Sequence, residues 1–244
     1  MNNKELLRKI LKILIENPYT SEVYLFGSQA DQSSDEFSDI DLTVATPHPA
    51  NAEAHMRKNI VDDFGINAVY TIAYGKHEIA RSFCLANTNP FHKIDIGFSL
   101  PEKTVLFPNS KLIFQNNYIH TPNKKYVKKW TETRTEHDYF DVMMGSLRYI
   151  KYRRRNENWQ AYKCYRGFID QFAKLHTTNR SDENIFKALD KQNNDDILKL
   201  FFYSTIHEKE QHYRQFIEAF ANNKQLLPEF SKDLLKCWKD YLGD

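Results

Sequence analysis

Several features that would settle a protein's class quickly are scarce in this chain or missing from it. Only three of the 244 residues are cysteines, Cys84, Cys164 and Cys237. They lie far apart, are odd in number and show no metal-ligand spacing, which excludes a disulfide framework and reads as reduced thiols in a cytosolic protein. Charge of one sign is missing too: 34 Lys and Arg stand against 32 Asp and Glu, a formal net charge of +2. A dedicated nucleic-acid binder usually carries a strong positive field, so this balance disfavours nucleic acid as a partner and favours a small or mixed-charge substrate. No apolar run could span a bilayer, and the opening "MNNKELLRKILKILIENP" lacks the uninterrupted apolar region and small-residue cleavage site of a signal peptide. Neither a membrane partner nor export is therefore expected. Internal repeats, serine or cysteine nucleophile motifs and a Walker-type phosphate loop are absent as well.

What is there is an ordinary globular composition, 41% apolar, in a chain long enough for one large domain or two small ones. Residues 4–16 put Leu6, Leu7, Ile10, Leu11 and Leu14 at helical spacing, and Asn17-Pro18 closes the segment. Strand-like runs follow, "EVYLFG", "DIDLTVA", "NAVYTIAY", "KIDIGFSL" and "KLIFQN", with a helix-compatible stretch at 51–64. From Lys124 onward the period is near 3.6, over 124–155, 158–176, 182–191, 194–221 and 228–242. The expected fold class is α+β: an N-terminal mixed β-sheet with helices, residues 1–121, followed by a C-terminal all-α helical bundle, residues 122–244.

Within the sheet region, "LFGSQADQSSDEFSDIDLTVA" places two carboxylates in what otherwise reads as a core strand. Side chains alternate along a strand, so Asp39 and Asp41 share one face while Ile40 and Leu42 point to the other. "KIDIGFS" repeats the arrangement with Ile94 and Ile96 around Asp95. If these two strands are neighbours, three carboxylates meet, and they stay ionised cheaply only around a cation. Oxygen ligands that leave room for water and phosphate suit Mg2+, one or two ions. Gly27 and Ser28 stand where the preceding strand should end. Glycine allows close backbone approach, and Ser28 at a helix cap would aim backbone N–H groups at a phosphate. A phosphate cradle beside a magnesium site is equipment for phosphoryl or nucleotidyl transfer from ATP or another nucleoside triphosphate.

These residues resemble the nucleotidyltransferases of the DNA polymerase beta type, whose motif is Gly-Ser, about ten residues, Asp-x-Asp and a third acid on a later strand. Gly27-Ser28, Asp39-Ile40-Asp41 and Asp95 match it, and Gln32 stands where the family commonly has a glycine. The helical unit behind them is similar in architecture to that of small bacterial antibiotic nucleotidyltransferases, which adenylylate aminoglycosides or lincosamides. The resemblance implies a nucleotidyltransferase domain at 1–121 that transfers AMP from ATP onto a hydroxyl of a small molecule. Nucleotidylation of a protein or RNA, as in antitoxin-like members, and a non-catalytic nucleotide-binding role are the alternatives.

In the segment 124–155, Phe140, Met143, Met144, Leu147 and Ile150 form a core stripe, and Arg134, Asp138, Asp141, Gly145 and Arg148 fall on another face. That face is either solvated or closes over the nucleotide, with Arg148 or Lys151 on the triphosphate and Asp141 near the acceptor hydroxyl. Asp141, Asp138, Glu136 and Asp95 all remain open as the general base. A homodimer, with a second copy walling the cleft, is the alternative arrangement. Arg153, Arg154 and Arg155 complement the helix C-terminus, and "HEKEQH" reads as surface.

Overall fold

A computed structural model describes residues 1–116 apart from 87 and 90, residues 138–175, and residues 210–211. The chain divides into two compact units, Met1–Arg134 and Thr135–Asp244. The boundary expected near residue 121 lies outside the described residues.

The first unit opens with helix α1, Asn3–Ile15, capped by Asn2, whose side chain accepts the backbone N–H of Glu5 at 2.9 Å. Leu6, Ile10, Ile13 and Leu14 are buried, and Leu7 and Leu11 pack beside them. Strand β1, Glu22–Phe26, runs into a single-turn helix α2, Gly27–Ala30, and β2 spans Ile40–Ala45. Helix α3, Pro49–Phe64, begins with proline in its first turn, where a missing N–H costs nothing. Strands β3, Ile66–Tyr74, β4, Glu78–Leu85, and β5, Ile94–Ser99, follow, then a short 3-10 turn and β6, Lys111–Gln115.

The six strands form one mixed sheet in the order β3-β4-β5-β2-β1-β6. Among the described residues only β2 and β5 pair in parallel, and Ile40↔Ile94, Asp41↔Asp95 and Leu42↔Ile96 stand opposite each other. Ile40, Leu42, Val44, Phe83, Ile94, Ile96 and Phe98 belong to one buried cluster with α1 and with Ala52, Met56 and Ile60 of α3. Because side chains alternate, covering that face turns Asp41, Asp95 and Ser82 toward the opposite one. β4 was not among the strands expected. Its burial on both faces removes the alternation by which a half-buried strand is recognised.

In the second unit, α4, Asp138–Arg154, and α5, Asn158–Leu175, pack together. Met144, Leu147 and Ile150 are buried as the apolar stripe predicts. Gly145, expected with Arg148 on a face apart from that stripe, meets α5: a Cβ there would stand 3.5 Å from Cβ of Phe168. Arg153 does more than complement a helix end, because its Nε donates to Glu210 Oε1 at 2.8 Å. Tyr149 Oη donates to the same oxygen, also at 2.8 Å. Glu210, read as surface, is thus buried; an ionised carboxylate tolerates burial when a cation and a hydroxyl satisfy it. The helices expected at 182–191 and 228–242, and all of 194–221 except 210–211, lie outside the described residues. Among the described residues, no helix is long and apolar enough to cross a membrane.

Candidate active site

The site grows from the end of β1. Phe26 stands opposite Asp41 in the antiparallel ladder, and the chain then turns at Gly27, φ +67°. A Cβ on Gly27 would fall inside contact distance of Asp41 Oδ2, so only glycine lets the backbone pass this close to the carboxylate. Ser28 was expected to cap the helix. It lies instead within α2, whose cap position is Phe26, and no side chain makes a capping bond there.

This turn is braced from the neighbouring edge strand, β6, and the residues just before it. Asn109 Nδ2 donates to Asp31 Oδ2 at 2.8 Å and to the Gly27 carbonyl at 3.4 Å, and Lys111 Nζ donates to the Ala30 carbonyl. The rings of Phe26 and Phe107 stack with centroids 4.2 Å apart. Gln32 adopts φ +60°, a left-handed conformation that explains the glycine common at this position in the resembled family.

Asp39 lies just before β2, Asp41 within it, and Asp95 directly across on β5. One oxygen from each lies within 4.8 Å of the others, and all three residues are partly exposed. Five sequence-nominated residues, Gly27, Ser28, Asp39, Asp41 and Asp95, therefore belong to two adjoining turns and strands of one unit. Asp141, Arg148 and Lys151 lie on α4 of the other. Arg148 is exposed and Lys151 half-buried, whereas the side chains of Asp138 and Asp141, and Arg134 and Glu136 altogether, lie outside what is described.

Two side chains at the acids were not singled out from the sequence. Lys93, only 5% exposed, places its Nζ 3.0 Å from Asp39 Oδ2 and in contact with Asp95 Oδ2. Burial alone would lower its pKa, but Asp95, then Asp39 and Asp41, hold it above the ordinary lysine value, so it remains an ammonium. Ser82 of β4 donates its hydroxyl to Asp95 Oδ1. Both oxygens of Asp95 thus already accept hydrogen bonds. A signal for Lys93 existed: it precedes Asp95 by two residues and so shares its face. Ser82 gave none, because its strand was not recognised.

The donor set is all oxygen, arranged closely enough to surround one ion, and it fits a hard divalent cation such as Mg2+. Cys84 does not fit as a thiol nucleophile: burial pushes its pKa up to about 12.

The family description "Polymerase beta, Nucleotidyltransferase" matches residues 8–67, which include Gly27, Ser28, Asp39 and Asp41 and stop short of Asp95. No curated protein matches the chain. Among solved structures, a candidate nucleotidyltransferase from H. pylori superposes with a TM-score of 0.28 at 12% identity, over 98% of this chain and 92% of its own. JHP933 from Helicobacter pylori does so with a TM-score of 0.28 at 10% identity, over 99% and 93%. Superpositions this loose carry no argument about the fold or the site.

Proposed function

Starting from the match of residues 8–67 to the polymerase beta nucleotidyltransferase family, we propose a metal-dependent enzyme that moves a nucleoside monophosphate onto a hydroxyl of a small molecule. AMP from ATP is the group we assign, and an aminoglycoside or related antibiotic the acceptor class. The observation that supports this best is the convergence of Asp39, Asp41 and Asp95 beside the Gly27 turn.

Asp39, Asp41 and Asp95 would hold Mg2+, which supplies positive charge to the phosphates when bound. Gly27 and Ser28 would seat the phosphates against the backbone at the start of α2. In the transfer, the acceptor oxygen forms a bond to the α-phosphorus, the bond from that phosphorus to pyrophosphate breaks, and the hydroxyl proton passes to a base. Both oxygens of Asp95 are engaged by Ser82 and Lys93, so its part is to bind and orient. The base would come from the helical unit, Asp141 first, and Arg148 and Lys151 would take the triphosphate charge.

The test is incubation with ATP, Mg2+ and a panel of aminoglycosides and lincosamides, scored by pyrophosphate release and by acceptor mass. A gain of one AMP residue on an acceptor is the expected result. Absence of pyrophosphate release with every nucleoside triphosphate and acceptor tried overturns the reading.

A further inference from the structure

We propose that Lys93 takes the place of one divalent cation at the acid triad, so that without nucleotide the site binds a single divalent ion per chain. The inference rests on reading Asp39, Asp41 and Asp95 as metal ligands. It adds a resident charge that fixes how many ions they take.

Charge and geometry carry the inference. Three carboxylates bring a formal −3 and the ammonium of Lys93 brings +1, which leaves −2, the charge that one divalent ion balances. Lys93 is built into the site. It is 5% exposed, it immediately precedes β5, and its carbonyl accepts the N–H of Ile40 at 3.0 Å, between Asp39 and Asp41. Its Nζ bridges Asp39 Oδ2, at 3.0 Å, and Asp95 Oδ2. A buried ammonium that left these partners would lose its compensating charges, so it stays when a cation arrives. Two metal ions within one triad need carboxylate oxygens free to bridge them. Asp95 has one oxygen on Lys93 and the other on the Ser82 hydroxyl. The three acids bring one oxygen each within 4.8 Å of one another, close enough to surround one ion, and the Asp95 oxygen among them is shared with a hydrogen bond it already accepts.

Titration of the full chain with Mn2+, with free Mn2+ followed by electron paramagnetic resonance, reads the stoichiometry directly and needs no turnover. The wild type is expected to bind one equivalent and Lys93→Met two. Lys93→Gln, a near-isosteric neutral side chain, is the second charge-removing variant if Lys93→Met does not fold, and should also bind two. Lys93→Arg, which keeps the charge, should bind one. Two equivalents on the wild type, or one equivalent on a folded neutral variant, overturns the inference while leaving the metal-site reading intact. No binding by the wild type or a folded neutral variant overturns both.

Discussion

At Gly27 two demands fall on one residue. The backbone takes a left-handed φ of +67°, and the space a Cβ would fill belongs to Asp41 Oδ2. A Gly27→Ala chain must therefore strain the turn and push Asp41 out of line with Asp95. The expected outcome is a loss of about 1–2 kcal/mol in stability from the left-handed conformation, measured by urea melts. Nucleotidyl transfer should fall disproportionately, by at least about a hundredfold, because a displacement near 1 Å at a reacting centre can cost that much. A variant with unchanged turnover would mean that the close approach of Gly27 to Asp41 has no catalytic consequence.

His92 poses a different question at the same scale. Its Nε2–H donates to the Glu36 carbonyl at 3.0 Å, and Nδ1 is buried without a partner. Protonation would place an unpaired N–H and a charge in that buried position, and burial accordingly holds the His92 pKa below its ordinary 6.5. The folded state then binds fewer protons than the unfolded chain below pH 6.5, so the contribution is fully present above that pH. It is lost as pH falls from there toward the depressed folded value, with a slope of up to about 1.4 kcal/mol per pH unit. Chemical denaturation between pH 7.5 and 5 should show this loss, and His92→Gln should flatten it. An identical slope in the variant would assign the pH dependence to other groups.

Among the elements, α3 depends on an ion pair as well as on apolar packing. Glu53 Oε1 accepts from Arg57 Nε at 2.9 Å and from Arg81 Nε of β4 at 3.2 Å, and Arg81 also donates to Thr71 Oγ1 of β3. The Glu53 and Arg81 side chains are 7% and 13% exposed, and that of Arg57 is 41% exposed. Removing Glu53 takes a buried carboxylate from a largely covered guanidinium, whereas removing Arg57 breaks a half-solvated contact. Glu53→Ala should cost about 3 kcal/mol or more and Arg57→Ala no more than about 1 kcal/mol, both read from denaturant midpoints. Equal losses in the two variants would show that helix packing, and not the Glu53–Arg81 pair, fastens α3 to the sheet.

For the whole molecule, the proposed metal ligands belong to one unit and the proposed triphosphate and base residues to the other. Positioning two substrates is worth several kcal/mol, so the second unit should matter to rate more than to metal binding. Arg148→Ala is expected to weaken ATP affinity by about tenfold, and Asp141→Asn to lower turnover by about a hundredfold or more with little change in affinity. Equilibrium binding of ATP and steady-state turnover separate the two. Unchanged values in both variants would remove α4 from the site.

The sequence by itself determined the alternation that puts Asp39 and Asp41 on one face, the turn at Gly27, the amphipathic α1 and the helical reading of α4 and α5. These are local properties, written in periods of 2 and 3.6 residues and in the conformational range of glycine. Tertiary structure decided which strands are neighbours. Asp95 meets Asp41 only because β5 returns parallel to β2 after α3, β3 and β4, and no local pattern encodes adjacency across some fifty residues. It also decided what is buried beside the acids. β4, covered on both faces, lost the alternation that would have announced it and with it Ser82. Lys93 has a side chain of the kind usually left in water, and it is buried here because Asp39 and Asp41, from a segment distant in sequence, join Asp95 in balancing its ammonium.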